Sequence, residues 1–199
     1  MIQIVNYGMG NIGSIVNMLK KIGRHSRIIS TPDEIDRGMK LILPGVGSFD
    51  NAMRRLNDSG FSSELQEFAA GGTPLLGICL GMQLLGNSSE EGVMDGLKLI
   101  PGYSSKFVKA QGLKIPHMGW NNVINSNSSL FQNLQENKFY FVHSYHFVPE
   151  LEEHILGESI YGIKFVSSIR RENIFGAQFH PEKSHKYGMQ LLRNFCDIK

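Results

Sequence analysis

Cysteine is nearly absent: the chain has 199 residues and two thiols, Cys79 and Cys196. Two cysteines cannot staple a disulfide scaffold, so a reducing, cytoplasmic setting is expected. Long apolar runs are missing too. No segment approaches the ~18 uninterrupted apolar residues of a membrane-spanning helix. The start runs straight into Ile2-Gln3-Ile4-Val5 with no basic region before an apolar stretch, so no signal peptide is expected. Charge of one sign is also lacking. Lys+Arg 20 against Asp+Glu 18 leaves +2, which gives no reason to expect a nucleic-acid partner. The basic pairs Lys20-Lys21, Arg54-Arg55 and Arg170-Arg171 are scattered and read as solvated surface. Charged residues make up 19% and hydrophobic residues 41%, too apolar a mixture for a disordered chain.

What is abundant is glycine, 22 residues, which suits many tight turns between short elements. Ile2–Val5, Arg27–Ile29, Leu41–Leu43 and Leu75–Ile78 are short apolar runs without alternation, as expected of strands covered on both faces. Ile12, Ile15, Val16, Leu19 and Ile22 recur at helical spacing, with Gly23 placed to end the helix. Thr31-Pro32-Asp33-Glu34 reads as a capping box opening a second helix. A third helix spans about Phe61–Ala70, stopped by Gly71-Gly72. Alternating strands and helices predict a mostly parallel central sheet flanked by helices. After about residue 100 the strand-like runs crowd together: Phe107-Val108, Asn122–Ile124, Phe139–Val142, Ile163–Val166 and Ile174–Ala177. These predict additional antiparallel strands in the C-terminal half, before a last helix carrying Met189, Leu191, Leu192 and Phe195. With no repeat or linker, residues 1–199 are expected to form one α/β domain.

Gly77-Ile78-Cys79-Leu80-Gly81 follows a buried strand and precedes the helical Met82–Leu85. This G-x-C-x-G turn is the thiol counterpart of the nucleophile elbow. The sharp turn demands small flanking residues, because larger side chains would strike neighbouring backbone. The helix start suits an anionic sulfur, and the Leu80 N–H can donate to a developing oxyanion. The plainer reading is a small buried residue at a strand end, and Cys196 takes that reading. A thiolate needs a proton carrier. His180, in Gln178-Phe179-His180-Pro181-Glu182, follows another strand, and Glu182 is close enough in sequence to orient its ring. His143 and His146 are rivals at the end of a different strand. Pro44-Gly45-Val46-Gly47 reads as a second segment for an oxyanion or carbonyl, or else as a tight turn.

Gly8-Met9-Gly10-Asn11-Ile12-Gly13 matches a dinucleotide-binding pattern, but the second strand ends at Ser30-Thr31 without the acidic ribose ligand. A partner-sensing loop fits it as well. The seven histidines and two cysteines make no multidentate metal set, and no cofactor is implied.

The segment from Gly77 to Gln83, taken with His180-Pro181-Glu182, resembles the class I glutamine amidotransferases. Pro44–Phe49, Pro116–Asn121, Phe141–Tyr145 and Gln178–Ser184 resemble, more narrowly, the glutaminase subunits of imidazole glycerol phosphate synthases. The resemblance implies a Cys79-His180-Glu182 triad that hydrolyses glutamine. It implies an oxyanion hole from Gly45, Val46, Gly47 and Leu80, with Gln83, Ser144 and Tyr145 holding the substrate. It implies a heterodimer in which ammonia passes to a (β/α)₈-barrel synthase subunit in histidine biosynthesis. Asn11, Trp120, Tyr140 and Lys183 are candidates for the partner face, with core packing the other reading of Trp120. The segment Lys183–Met189 and His146 look more like a branch that supplies ammonia for sugar modification in surface polysaccharides. Two remoter alternatives are a thiol hydrolase of α/β-hydrolase type and a dinucleotide-binding module.

Overall fold

The apolar runs become strands in chain order. The computed structural model describes residues 1–108, 113–125 and 128–198. The N-terminal half runs β1 (Ile2–Val5), α1 (Ile12–Lys21), β2 (Ser26–Ile29), β3 (Leu41–Gly45), α2 (Phe49–Asp58), α3 (Phe61–Ala70), β4 (Leu75–Cys79) and the short α4 (Leu80–Leu84). The C-terminal half is strand-rich. It runs β5 (Ser88–Ser89), β6 (Gly102–Lys106), β7 (His117–Asn122), β8 (Ile124–Asn125), β9 (Lys138–His143), β10 (Tyr145–Pro149), β11 (Ile155–Tyr161), β12 (Ile163–Arg171) and β13 (Ile174–Ala177), then α5 (His185–Asp197).

The main sheet has the order β2-β1-β3-β4-β13-β12-β10-β6-β5, with β11 and β8 branching from β12. Strands β2, β1, β3, β4 and β13 are mutually parallel. Strand β12 runs antiparallel to β13, and β10 and β11 run antiparallel to β12. The predicted mixture of a parallel centre and antiparallel additions is what forms. β7 and β9 pair separately as an antiparallel ribbon. Successive strand residues face opposite cores, as period-two geometry requires. Val5, Leu41, Leu43 and Leu75 pack with Phe49, Phe61 and Phe68 of α2 and α3. Ile4, Ile42 and Leu76 pack with Ile15 and Leu19 of α1 and with Leu191 and Phe195 of α5. Among the described residues, no helix is long and apolar enough to cross a membrane.

Two local expectations fail. The capping box at Thr31 opens only a single 3-10 turn, Pro32–Glu34. Glu34 does accept from the Thr31 backbone N–H. The backbone beyond is claimed by buried Gln3, whose amide donates to the Asp36 and Met39 carbonyls and accepts from the Asp36 N–H. Those groups then cannot extend a helix. The strand expected at Phe107-Val108 lies instead just before it, at Gly102–Lys106; the Phe107 N–H still donates to the Ser144 carbonyl, and its ring joins the aromatic cluster around His143 and Phe165.

Candidate active site

Three adjacent parallel strands deliver the site to one rim of the sheet. Cys79 ends β4, Gly45 of β3 pairs with it in register, and β13 pairs Ala177 with Ile78 on the other side. This carboxyl edge is where open α/β sheets place their ligands. Cys79 itself sits at φ 55° and ψ −113°, in a region L residues rarely occupy. Such strain costs of order 1–3 kcal/mol and persists only where the surroundings enforce it. The flanking glycines are part of that enforcement. A Cβ on Gly81 would lie 2.0 Å from the Leu43 carbonyl oxygen, and one on Gly77 would lie 2.6 Å from the Gly81 carbonyl oxygen.

From β13 the chain runs through Gln178 and Phe179 to His180. The His180 N–H donates to the Tyr140 carbonyl at 2.9 Å, which fixes the backbone. Ser184 closes the clasp: its hydroxyl donates to the His180 carbonyl at 2.6 Å and accepts from the Tyr140 N–H at 3.0 Å. His180 Nδ1 meets Glu182 Oε1 at 2.8 Å, and both side chains are buried. Nε2 is left for the sulfur. Burial would depress the imidazole, but hydrogen bonds and charge from Cys79 and Glu182 outweigh it and push it up to about 10. The ring therefore holds its proton tightly beside Cys79. A sulfur, a charged imidazole and a carboxylate so placed can attack an acyl carbon and protonate its leaving group.

The cavity above them measures about 320 Å³, within the usual range for small-molecule sites. Cys79, His180, Val46, Gly47, Leu80, Gln83, Ser144, Tyr145 and Lys183 line it. Gly45 stands behind the lining, where a Cβ would lie 2.6 Å from the Gly81 backbone nitrogen and 3.0 Å from the Tyr7 hydroxyl. Gln83 is buried, and its amide nitrogen donates to the Tyr145 carbonyl and to Gln178. Of the candidate partner residues, Lys183 lines the cavity and Tyr140 accepts from the His180 N–H through its carbonyl. Asn11 begins α1 and is half-buried. Trp120 is 41% exposed, stacked on His185 with Tyr140 and Tyr187 edge-on, rather than packed in the core.

Other residues join the site that had no role assigned from the sequence; Pro116 and Val142 among them lie inside motif segments quoted above. Glu91, Pro116 and Val142 line the cavity. Glu91 accepts from the Phe49 N–H at the start of α2. Tyr7 donates to the Pro44 carbonyl at 2.9 Å and steadies the strand end that leads to Gly47. Glu91 and Tyr7 are brought in by long-range contacts that no local pattern encodes. His143 also lines the cavity, but burial pushes it down to about 3. His146 is lowered by burial as well, and its ring lies against Phe107. Cys196 sits at the opposite end of the sheet beside Met1, Arg24 and Lys40.

Residues 3–198 match the family profile for glutamine amidotransferase class-I. The chain is 51% identical over 198 residues to the imidazole glycerol phosphate synthase subunit HisH 2 of Methanococcus maripaludis, covering 98% of each. It is 48% identical over 204 aligned positions to the imidazole glycerol phosphate synthase subunit HisH of Wolinella succinogenes, covering 100% of each. Among solved structures, PurLQS from Thermotoga maritima aligns over 98% of this chain and 96% of that one with TM-score 0.75. At 19% identity that likeness is one of fold.

Proposed function

The chain belongs to the class-I glutamine amidotransferase family, and from that premise we propose how its site works and what it serves. It is the glutaminase subunit of an imidazole glycerol phosphate synthase and acts in histidine biosynthesis. In our reading residues 1–199 form one cytoplasmic glutaminase domain. The observation that carries the mechanism is the meeting of Cys79, His180 and Glu182 beneath one cavity.

The thiolate of Cys79 attacks the side-chain amide carbon of glutamine. The resulting oxyanion sits between the Gly45–Gly47 segment and the Leu80 N–H. His180, held by Glu182, donates its proton to the departing nitrogen, and ammonia leaves. A thioester remains. His180, now neutral, takes a proton from water as the water attacks, and glutamate is released with the thiolate restored. One glutamine and one water become one glutamate and one ammonia. Gln83, Ser144 and Tyr145 hold the substrate in this scheme.

Ammonia that escapes to water protonates and stops being a nucleophile, so the product needs a protected exit. We assign the acceptor to a (β/α)₈-barrel synthase subunit, docked over the rim that carries Asn11, Trp120, Tyr140 and Lys183. The test is glutamate release measured with and without that barrel subunit. Release is expected to rise on adding the loaded barrel, and Cys79→Ala is expected to lower it by about a thousandfold or more. Full turnover by Cys79→Ala would overturn the mechanism. Stimulation by a sugar-modifying acceptor in place of the barrel would overturn the assignment of the partner.

A further inference from the structure

His117 on β7 and His143 on β9 stand opposite each other in register, both buried. His117 Nδ1 lies 2.9 Å from His143 Nε2. The groups at either end decide where the protons are. His143 Nδ1 is 2.8 Å from the Tyr145 carbonyl, which can only accept. His143 therefore carries its proton on Nδ1 and accepts at Nε2. His117 must then donate from Nδ1, which leaves its Nε2 as an acceptor. Asn121 Nδ2 approaches that nitrogen at 3.3 Å. The Asn121 amide is oriented independently, because Nδ2 also donates to the Ile160 carbonyl and Oδ1 accepts from the Asn122 N–H. Donors and acceptors agree at every link.

The chain of bonds continues past Tyr145. The same carbonyl accepts from Gln83 Nε2 at 3.1 Å. The other Gln83 hydrogen goes to Gln178 Oε1 at 3.0 Å. With its oxygen so held, the Gln178 amide turns its nitrogen toward Cys79, 3.9 Å from the sulfur. Gln178 is fully buried. The rings of Phe107, Phe141, Tyr161 and Phe165 surround the two imidazoles. His146 and His180 are the charged-capable groups that His143 faces beyond its partner. Burial pushes His117 down to about 4 and His143 down to about 3, so both rings are neutral near pH 7.

We propose that Gln178 is a positioning residue for the nucleophile, its N–H held toward the Cys79 sulfur by Gln83, and that the neutral His117–His143 pair anchors the Tyr145 carbonyl on which Gln83 depends. The inference rests on the glutaminase reading of the cavity and adds to it. A buried amide donor aimed at sulfur favours the anionic nucleophile. Its loss acts on turnover rather than on substrate binding.

The tautomers can be read without mutation, from long-range ¹⁵N–¹H spectra of the histidine-labelled intact chain at pH 6.5. Two neutral rings protonated at Nδ1 are expected for His117 and His143. An Nε2-protonated or a charged ring at either position would overturn the proposal. Gln178→Met keeps the bulk and removes the donor. In the complex with the barrel subunit it is expected to lower kcat about tenfold with KM for glutamine little changed. In the isolated chain, alkylation of Cys79 by iodoacetamide at pH 7 is expected to slow by a similar factor. Unchanged kcat and unchanged alkylation would sink the role of Gln178. If that variant does not fold, the wild-type spectra still decide the orientation of the chain of bonds. Failure of the glutaminase reading looks different: the wild type would show the predicted tautomers yet release no glutamate with the barrel.

Discussion

At the scale of single residues, the site depends on atoms that are missing as much as on those present. Gly81 leaves room for the Leu43 carbonyl where a methyl group would come within 2.0 Å. Because the obstacle is sheet backbone, it cannot swing aside. Gly81→Ala is expected to cost about 3 kcal/mol, from overpacking plus displaced backbone. A urea titration measures this, and an unshifted midpoint would show that the turn is laxer than its geometry. Cys79, His180 and Glu182 were legible in the sequence for a local reason. Glycines two positions either side of a cysteine, and a carboxylate two positions after a histidine, are short-range patterns with a chemical meaning. The contacts of Gln178 and Tyr7 were not legible, although Gln178 itself lies in a quoted motif. Tyr7 reaches Pro44, 37 positions away, and Gln178 reaches Cys79, 99 positions away. Pairings at that separation exist only once the sheet has assembled.

At the scale of elements, the β7–β9 ribbon presents two unlike faces. Inward, His117 and Phe141 stack at 4.8 Å among other rings. Outward, Trp120 stands over Tyr140, with His185 parallel to it at 5.6 Å. A half-exposed aromatic cluster suits an interface anchor. Trp120→Ala is expected to change the stability of the isolated chain by less than about 1 kcal/mol and to weaken barrel binding by about tenfold or more. Thermal melts and a binding titration separate the two effects, and equal binding by the variant would remove Trp120 from the interface. The sequence announced β1, β3, β4 and β13 well, because strands buried on both faces are mostly apolar runs, with Gln3 the polar exception in β1. It announced α2, β10 and β11 poorly. Helix α2 carries Asp50, Arg54, Arg55 and Asp58 around a narrow buried stripe of Phe49, Ala52, Met53 and Leu56. Strand β10 is half-buried at four of its five positions, so its apolar signal is diluted.

At the scale of the whole molecule, the charge on His180 links the site to global stability. An unfolded histidine titrates near about 6.5, whereas folded His180 is pushed up to about 10 after burial is outweighed by Cys79 and Glu182. A raised folded value means the native state binds the proton more tightly. The stabilisation is complete below about pH 6.5 and is lost as pH climbs toward 10. Glu182→Gln removes one source of that preference. Its urea midpoint is expected to fall furthest below wild type near pH 6, with the gap narrowing by pH 10. A gap independent of pH would mean that Glu182 acts on stability through packing alone.

Strand β13 lies between β4 and β12, yet it is the last strand to leave the ribosome. Until it inserts, the four early parallel strands end in an open seam, and no strand joins them to the antiparallel half of the sheet. The same insertion brings the imidazole to the thiol. On the mechanism proposed above, assembly of the backbone and arming of the chemistry are thus one event, and a chain lacking β13 is expected to hydrolyse no glutamine.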